Sequence, residues 1–423
     1  MSRRISIFTS IFLTLSVSTS TSYATATPSV GKNCGHLNQV QQVGNQKFVC
    51  LPVNAHIAVW KKYSTSVPST AKGTSPSSPP VPIASPTQAG VPAFVPPVVP
   101  VSFQDLDSHL SGITYGAWLN GSKHIQASTP TLGNVKILIG PNTQVADPKP
   151  LDAFAKASAL YFQSQQVKNL YLIEFSKADS VWAQQQYDLL HPKNYDPDAA
   201  VHQCHPNNGC IGAQAGVNAA GDGVIIYGMG GIQYPGPDGT PDPRQTNGDV
   251  LAHEYTHTIQ MLNAPCNSGP TCYGQLPQWT LEGNADWSGL LDVSTDSYQS
   301  YMKFRGNILE SIPGNSKLSQ FTPAWVTTYL NPNPTFVSNQ DNWSYWHSNP
   351  IYSPDWAYSI GAMVDEVLTS LKGPESVMNL YKDAGAGLSF VQAFQQEFGI
   401  SWADACPILG KVISGEIQQG LTR

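Results

Sequence analysis

The chain has 423 residues, 41% of them hydrophobic and 12% charged, with 22 Lys and Arg against 28 Asp and Glu for a formal net charge of −6. That length holds one large domain with appendages, or two ordinary domains, and a sizeable core. The acidic balance makes nucleic acid and anionic membrane surfaces poor partners.

Residues 1–26, "MSRRISIFTSIFLTLSVSTSTSYATA", combine basic Arg3 and Arg4, an apolar run from Ile5 to Val17, and Ala24 and Ala26 in A-x-A spacing. This is the pattern of a secretory signal peptide cut after Ala26. The run is interrupted by Ser and Thr and falls short of the roughly 20 residues that a membrane span requires. The expectation is a secreted, extracellular protein with no membrane span, free or associated with the cell surface. Without Arg3 and Arg4 the mature chain keeps 20 basic residues against 28 acidic ones, a net charge of about −8.

Seven cysteines in an exported chain favour disulfides over thiolate metal sites. Cys34 and Cys50 stand alone near the N-terminus, whereas Cys204/Cys210 and Cys266/Cys272 are both C-x5-C pairs that could close local loops. Cys406 is left over, and connectivity among the last five cysteines stays open.

Residues 27–63 read as a small module of short strands around one disulfide, since so short a unit usually needs such a staple. The module resembles a small Cys–Cys–Trp unit of exported bacterial proteins, which implies cell-wall or surface attachment, with an inert spacer as the alternative. Residues 64–101 carry ten prolines and a single charge, Lys72, and predict a Pro/Ser linker. The large domain then runs from 102 to 423.

Within it, 134–140, 169–176 and 223–231 have strand character, and 151–166 reads as a helix. Helical spacing returns at 358–373, 375–384 and 389–399, with Gly373 and Gly399 at C-caps. Strands first and helices later give an α+β fold class. As a sheet edge, strand 223–231 would hold an extended peptide, with Tyr227 and Met229 in reach. As a plain core element it would not.

The stretch "DVLAHEYTHTIQ", residues 249–260, contains His253, Glu254 and His257 in H-E-x-x-H spacing. On a helix, positions i and i+4 share a face, so both imidazoles can reach one metal ion. Glu254, turned about 100° from His253, falls beside the metal and not on it. Leu251, Tyr255, Ile259 and Leu262 form an opposite stripe for the core, leaving the histidines to a cleft, and Asp249 is the expected N-cap. Metzincins would continue with Gly and His where this chain has Gln260 and Asn263, which excludes that class.

Downstream, "LPQWTLEGNADWSGLL" (276–291) places Glu282 and Asp286 one helical turn apart. Here the chain resembles the gluzincin metallopeptidases, the thermolysin-like clan, and "LEGNADW" is similar to the E-G-x-A variant of peptidase-MA-like families. The likeness continues through 355–401, with a Tyr-x-x-Gly helix and an Ala-Phe…Phe-Gly close. It covers residues 220–405, and the first 220 carry no part of this likeness. The resemblance implies a zincin-like domain with one catalytic zinc held by His253, His257 and Glu282. It implies Asp286 as acceptor for a ligand histidine, Glu254 as general base, and Tyr358 or His347 as oxyanion stabiliser.

Three other segments have plainer readings. "HQCHPNNGC" (202–210) could be a second metal site, but export favours a disulfided loop. The clan often uses calcium, yet the spaced aspartates of 234–249 lack a calcium-loop pattern, so calcium stays unsupported and a turn-rich loop is expected. Asn342-Trp343-Ser344 is a glycosylation sequon.

Two functions stand at this point: an exported zinc metallopeptidase acting on peptide or protein substrates, and a secreted surface- or wall-binding protein on a peptidase-like scaffold without catalysis. Zinc hydrolysis of a non-peptide amide is not separable from the first. All four motif residues are kept, which favours the enzyme.

Overall fold

The structure, a computed structural model, describes residues 40–43, 46–54, 57–62, 94–144, 146–205, 209–230, 244, 246–264, 276–308, 318–331 and 354–420. The expected signal peptide, Cys34, most of the linker, Cys266, Cys272, most of loop 234–249, Asn342 and His347 lie outside the described residues. The chain divides into two units, 1–91 and 92–423.

In the first unit β1 (Val40–Val43), β2 (Gln46–Asn54) and β3 (Ile57–Lys62) form an antiparallel meander in that order. Cys50 lies opposite Trp60 in its register.

The second unit begins earlier than the proline content suggests. The Phe94 ring lies 5.9 Å from those of both Tyr115 and Tyr298, tilted to each. The Val98 carbonyl lies against Gly112 of α1 (Leu110–Ala127), where any Cβ would come within 1.8 Å of the oxygen. The end of the expected linker, 94–101, therefore belongs to the large unit, because a glycine on α1 lets an extended proline-rich segment lie against the helix.

Four strands build the main sheet: β4 (Asn134–Ile139), β5 (Asn169–Phe175), β8 (Ala213–Val217) and β9 (Gly223–Gly228), in the order β4-β5-β9-β8. The first three are parallel and β8 is antiparallel to β9. Between them lie α2 (Pro150–Leu160), α3 (Ser180–Leu190), α4 (Ala199–His202) and a two-residue ladder of β6 (Cys204–His205) and β7 (Gly209–Cys210). Successive side chains of a strand face opposite sides of the sheet. Leu170, Leu172, Ile225 and Tyr227 join the core shared with α2, while Ile173, Phe175, Val224 and Ile226 join a second core under α3 and α4.

β9 is not an edge. Both of its backbone sides are consumed by β5 and β8, and Tyr227 and Met229 are buried. A peptide cannot add to it. The edges are β4 and β8, and along β8 the carbonyls of Val217 and Ala215 already accept from Lys193 N and Asn194 Nδ2, each at 2.9 Å.

The rest is helical: α5 (Asp249–Asn263), α6 (Gln278–Asp292), α7 (Tyr298–Ile308), α8 (Pro323–Leu330), α9 (Pro354–Lys372), α10 (Glu375–Gly385), α11 (Phe390–Phe398) and α12 (Trp402–Gln418). The class is α+β, as expected. Gly373 and Gly399 follow α9 and α11 with φ of 84° and 71°, the left-handed conformation that ends a helix at little cost to glycine. No helix among the described residues is long and apolar enough to cross a membrane.

α6 and α9 touch backbone to backbone. A Cβ on Gly283 would lie 2.1 Å from the carbonyl carbon of Gly361 and 2.3 Å from its Cα. Gly283→Ala is therefore expected to lose about 1–3 kcal/mol of stability, the usual cost of overpacking. A urea midpoint equal to that of the native protein would show that the crossing can simply open.

Candidate metal centre

α5 starts at a turn made by Gly248, whose φ of 100° suits glycine, and the Asn247 side chain accepts from Asp249 N at 3.0 Å. Asp249 is thus the first residue inside the helix and not its N-cap. Its carboxylate instead lies where a side chain on Gly289 of α6 would be, 2.3 Å from a Cβ there. Leu251, Tyr255 and Ile259 are wholly buried in the core, and Leu262 is half-buried against it. On the opposite face His253 and His257 are 8% and 7% exposed.

α6 packs alongside, pinned to α5 by Thr256 Oγ1, which donates to Ala252 O and sits 2.9 Å from Ser288 Oγ. Glu282 is the fifth residue of α6, so it does not serve as an acid at the helix end. Its carboxylate points at the histidines instead. His253 Nε2 lies 3.0 Å from His257 Nε2, and Glu282 Oε2 lies 3.5 Å from the first and 3.4 Å from the second.

A four-coordinate ion with bonds of about 2.0–2.1 Å has ligand-to-ligand edges of about 3.3 Å. The observed triangle matches those edges within a few tenths of an ångström. Two nitrogens and one oxygen are a donor set suited to a borderline divalent metal. Among the described residues this is the one group of three or more His, Cys, Asp or Glu placed to hold a metal ion.

Each imidazole is held from behind. Asp286 Oδ1 lies 2.8 Å from His253 Nδ1, the contact that the sequence resemblance implies. Gln260 Oε1 lies 2.8 Å from His257 Nδ1. With their Nδ1 atoms engaged, both rings turn Nε2 toward Glu282.

The charges are mutually dependent. Burial opposes protonation of His253, but Asp286 and Glu282 together hold its pKa well above the ordinary value. Burial would raise Glu282, yet His257 and His253 hold it below the usual carboxylate range. Glu254 is raised, first by burial, with His253 and His257 working against the shift. Its Oε2 is buried and has no hydrogen-bond partner among the described residues.

Tyr358 of α9 stacks on His253 with centroids 5.9 Å apart, and its hydroxyl hydrogen-bonds the Glu282 carboxylate. The nearby negative charge of Glu282, and then burial, push its pKa well above 10. His347 lies outside the described residues. The alternative site at 202–210 dissolves, because Cys204 and Cys210 form a disulfide. His202 pairs with Asp196 at 2.6 Å on the surface. Cys406 is free and buried, and burial pushes its thiol up to about 12.

Gln260 is the site residue that sequence reasoning missed. It entered only as the wrong residue for a metzincin, although its spacing of three from His257 places both on one helical face.

Comparison with protein-family models, with curated proteins and with solved structures finds no match.

Proposed function

We propose that the chain is an exported zinc metallopeptidase of gluzincin type, with the large unit, 92–423, as a zincin-like domain. The observation that carries this is the triangle of His253, His257 and Glu282, with edges of 3.0–3.5 Å, beside a buried Glu254 oxygen that no described residue satisfies. An orphaned buried carboxylate oxygen costs free energy and calls for a use.

Zinc, when bound, would supply Lewis acidity toward a carbonyl oxygen and lower the pKa of a water to about 7. Glu254 takes the proton of the attacking water on its free Oε2 and hands it to the leaving amine. Burial raises its pKa, which brings the base nearer the working pH and makes the return of the proton easier. Tyr358, kept protonated by Glu282 and burial, turns its one hydroxyl proton from the Glu282 carboxylate to the carbonyl oxygen as negative charge develops there. Asp286 holds His253 in place. The signal-peptide pattern supports secretion, and residues 27–63 supply a candidate module for wall or surface attachment.

The test is the zinc content of the purified mature protein beside a Glu282→Ala variant. About one zinc per chain, lost in the variant, is expected for a three-ligand site. No zinc in the native protein, even after metal is supplied, would overturn the proposal and favour the non-catalytic binding protein.

A further inference from the structure

We propose that Gln260 is a positioning residue that decides which nitrogen of His257 is left free for the metal. The inference rests on the metal site proposed above and adds a part to it.

Leu281 O has no proton to give, so whatever meets it must be a donor. Gln260 Nε2 meets it at 3.1 Å, and also donates to Asn284 Oδ1 at 3.0 Å. Turning the amide over would set Gln260 Oε1 against the Leu281 carbonyl, two acceptors facing each other in a site where Gln260 is only 1% exposed. The amide is therefore fixed with Oε1 toward His257. An amide oxygen accepts and never donates, so His257 Nδ1 must carry the proton. In the neutral ring, the form that ligates a metal, Nε2 is then the bare nitrogen, and it is the one that faces Glu282.

Asn284 is held in its turn. With its Oδ1 engaged by Gln260, its Nδ2 donates to the Tyr161 hydroxyl at 2.8 Å and to both oxygens of Asp365 at 3.3 Å. Burial raises the Asp365 carboxyl well above its ordinary range. The chain thus ties His257 through α5 and α6 to α9, each member buried and oriented by the next.

The two histidines are oriented by different means. His253 leans on a carboxylate, and His257 leans on a neutral amide whose orientation is set by the main chain.

Partners of this kind are worth about 10–100-fold in metal affinity. In Gln260→Leu, zinc measured by chelator competition is expected to bind about 10–100-fold more weakly, and the visible spectrum of the cobalt-loaded protein is expected to shift. Binding within twofold of native would overturn the inference and leave the metal site standing. Should Gln260→Leu fail to fold, long-range proton–nitrogen NMR of the zinc-loaded native protein decides. A slowly exchanging proton on His257 Nδ1 with zinc on Nε2 is expected, and zinc on Nδ1 would overturn it. A native protein that takes no zinc at all would remove both this inference and the hydrolase proposal.

Discussion

Glu254→Gln is expected to lower the turnover of peptide cleavage by about 10²–10⁴-fold, the range that a positioned general base contributes, and to keep its zinc. The substitution preserves size and removes only the oxygen that accepts the proton. Glu254 is 6% exposed, and burial raises its pKa, so the neutral amide is no less comfortable there than the carboxylate. Folding should be untouched. Zinc content and cleavage of a peptide library, read on the same preparation, separate the two properties. Undiminished cleavage by the variant would mean that another group takes the proton, and the mechanism above would fail.

Arg305→Met is expected to cost about 3–5 kcal/mol, the penalty for leaving a buried charge without its partner. Arg305 on α7 is fully buried. Its Nε donates to Glu366 Oε1 at 2.7 Å, and its Nη2 donates to Glu366 Oε2 at 2.7 Å and to Glu416 Oε2 at 2.9 Å. One guanidinium therefore joins α7 to α9 and α12. Trp287 of α6 reaches the same cluster by donating to Tyr301 OH at 3.0 Å, and Tyr301 donates to Glu366.

Glu416 adds a pH signature. Burial pushes it up to about 8 while Arg305 opposes the shift. A carboxyl raised in the fold loses stability as pH climbs from its unfolded value toward its folded one. In the variant the folded value moves higher still, so the Glu416 part of the loss widens above pH 8. Urea titrations at pH 7 and pH 9 check both size and direction. A variant as stable as the native protein would show that the cluster is offset by its own desolvation.

Much of the fold was legible because its signals are local. The alternation in "NLYLIEF", the spacing of Leu251, Tyr255 and Ile259, and Gly399 after an apolar helix each report a conformation set within one or two turns. The histidine pair was legible for the same reason, since helical geometry alone sets His253 and His257 on one face. Glu282 and Asp286 were reached only through a family resemblance, and the structure brings both beside the pair.

Where reading failed, the deciding partner lay far along the chain. That β9 is interior depends on the distant β5 pairing along the side that the adjacent β8 leaves open. The linker's end depends on the Val98 backbone meeting Gly112. Gln260 acquires its role from Leu281 and Asn284, 21 and 24 residues away, and Arg305 acquires one of its carboxylates from 111 residues away. By itself the sequence determined strands β4, β5 and β9, helices α2, α5, α9, α10 and α11, the α+β class and the i,i+4 histidines, because backbone sterics and side-chain periodicity act within a turn. Only the tertiary structure decided which atoms those histidines face and which hydrogen bonds orient them, because a polar group inside a protein takes its partner from whatever segment packs there.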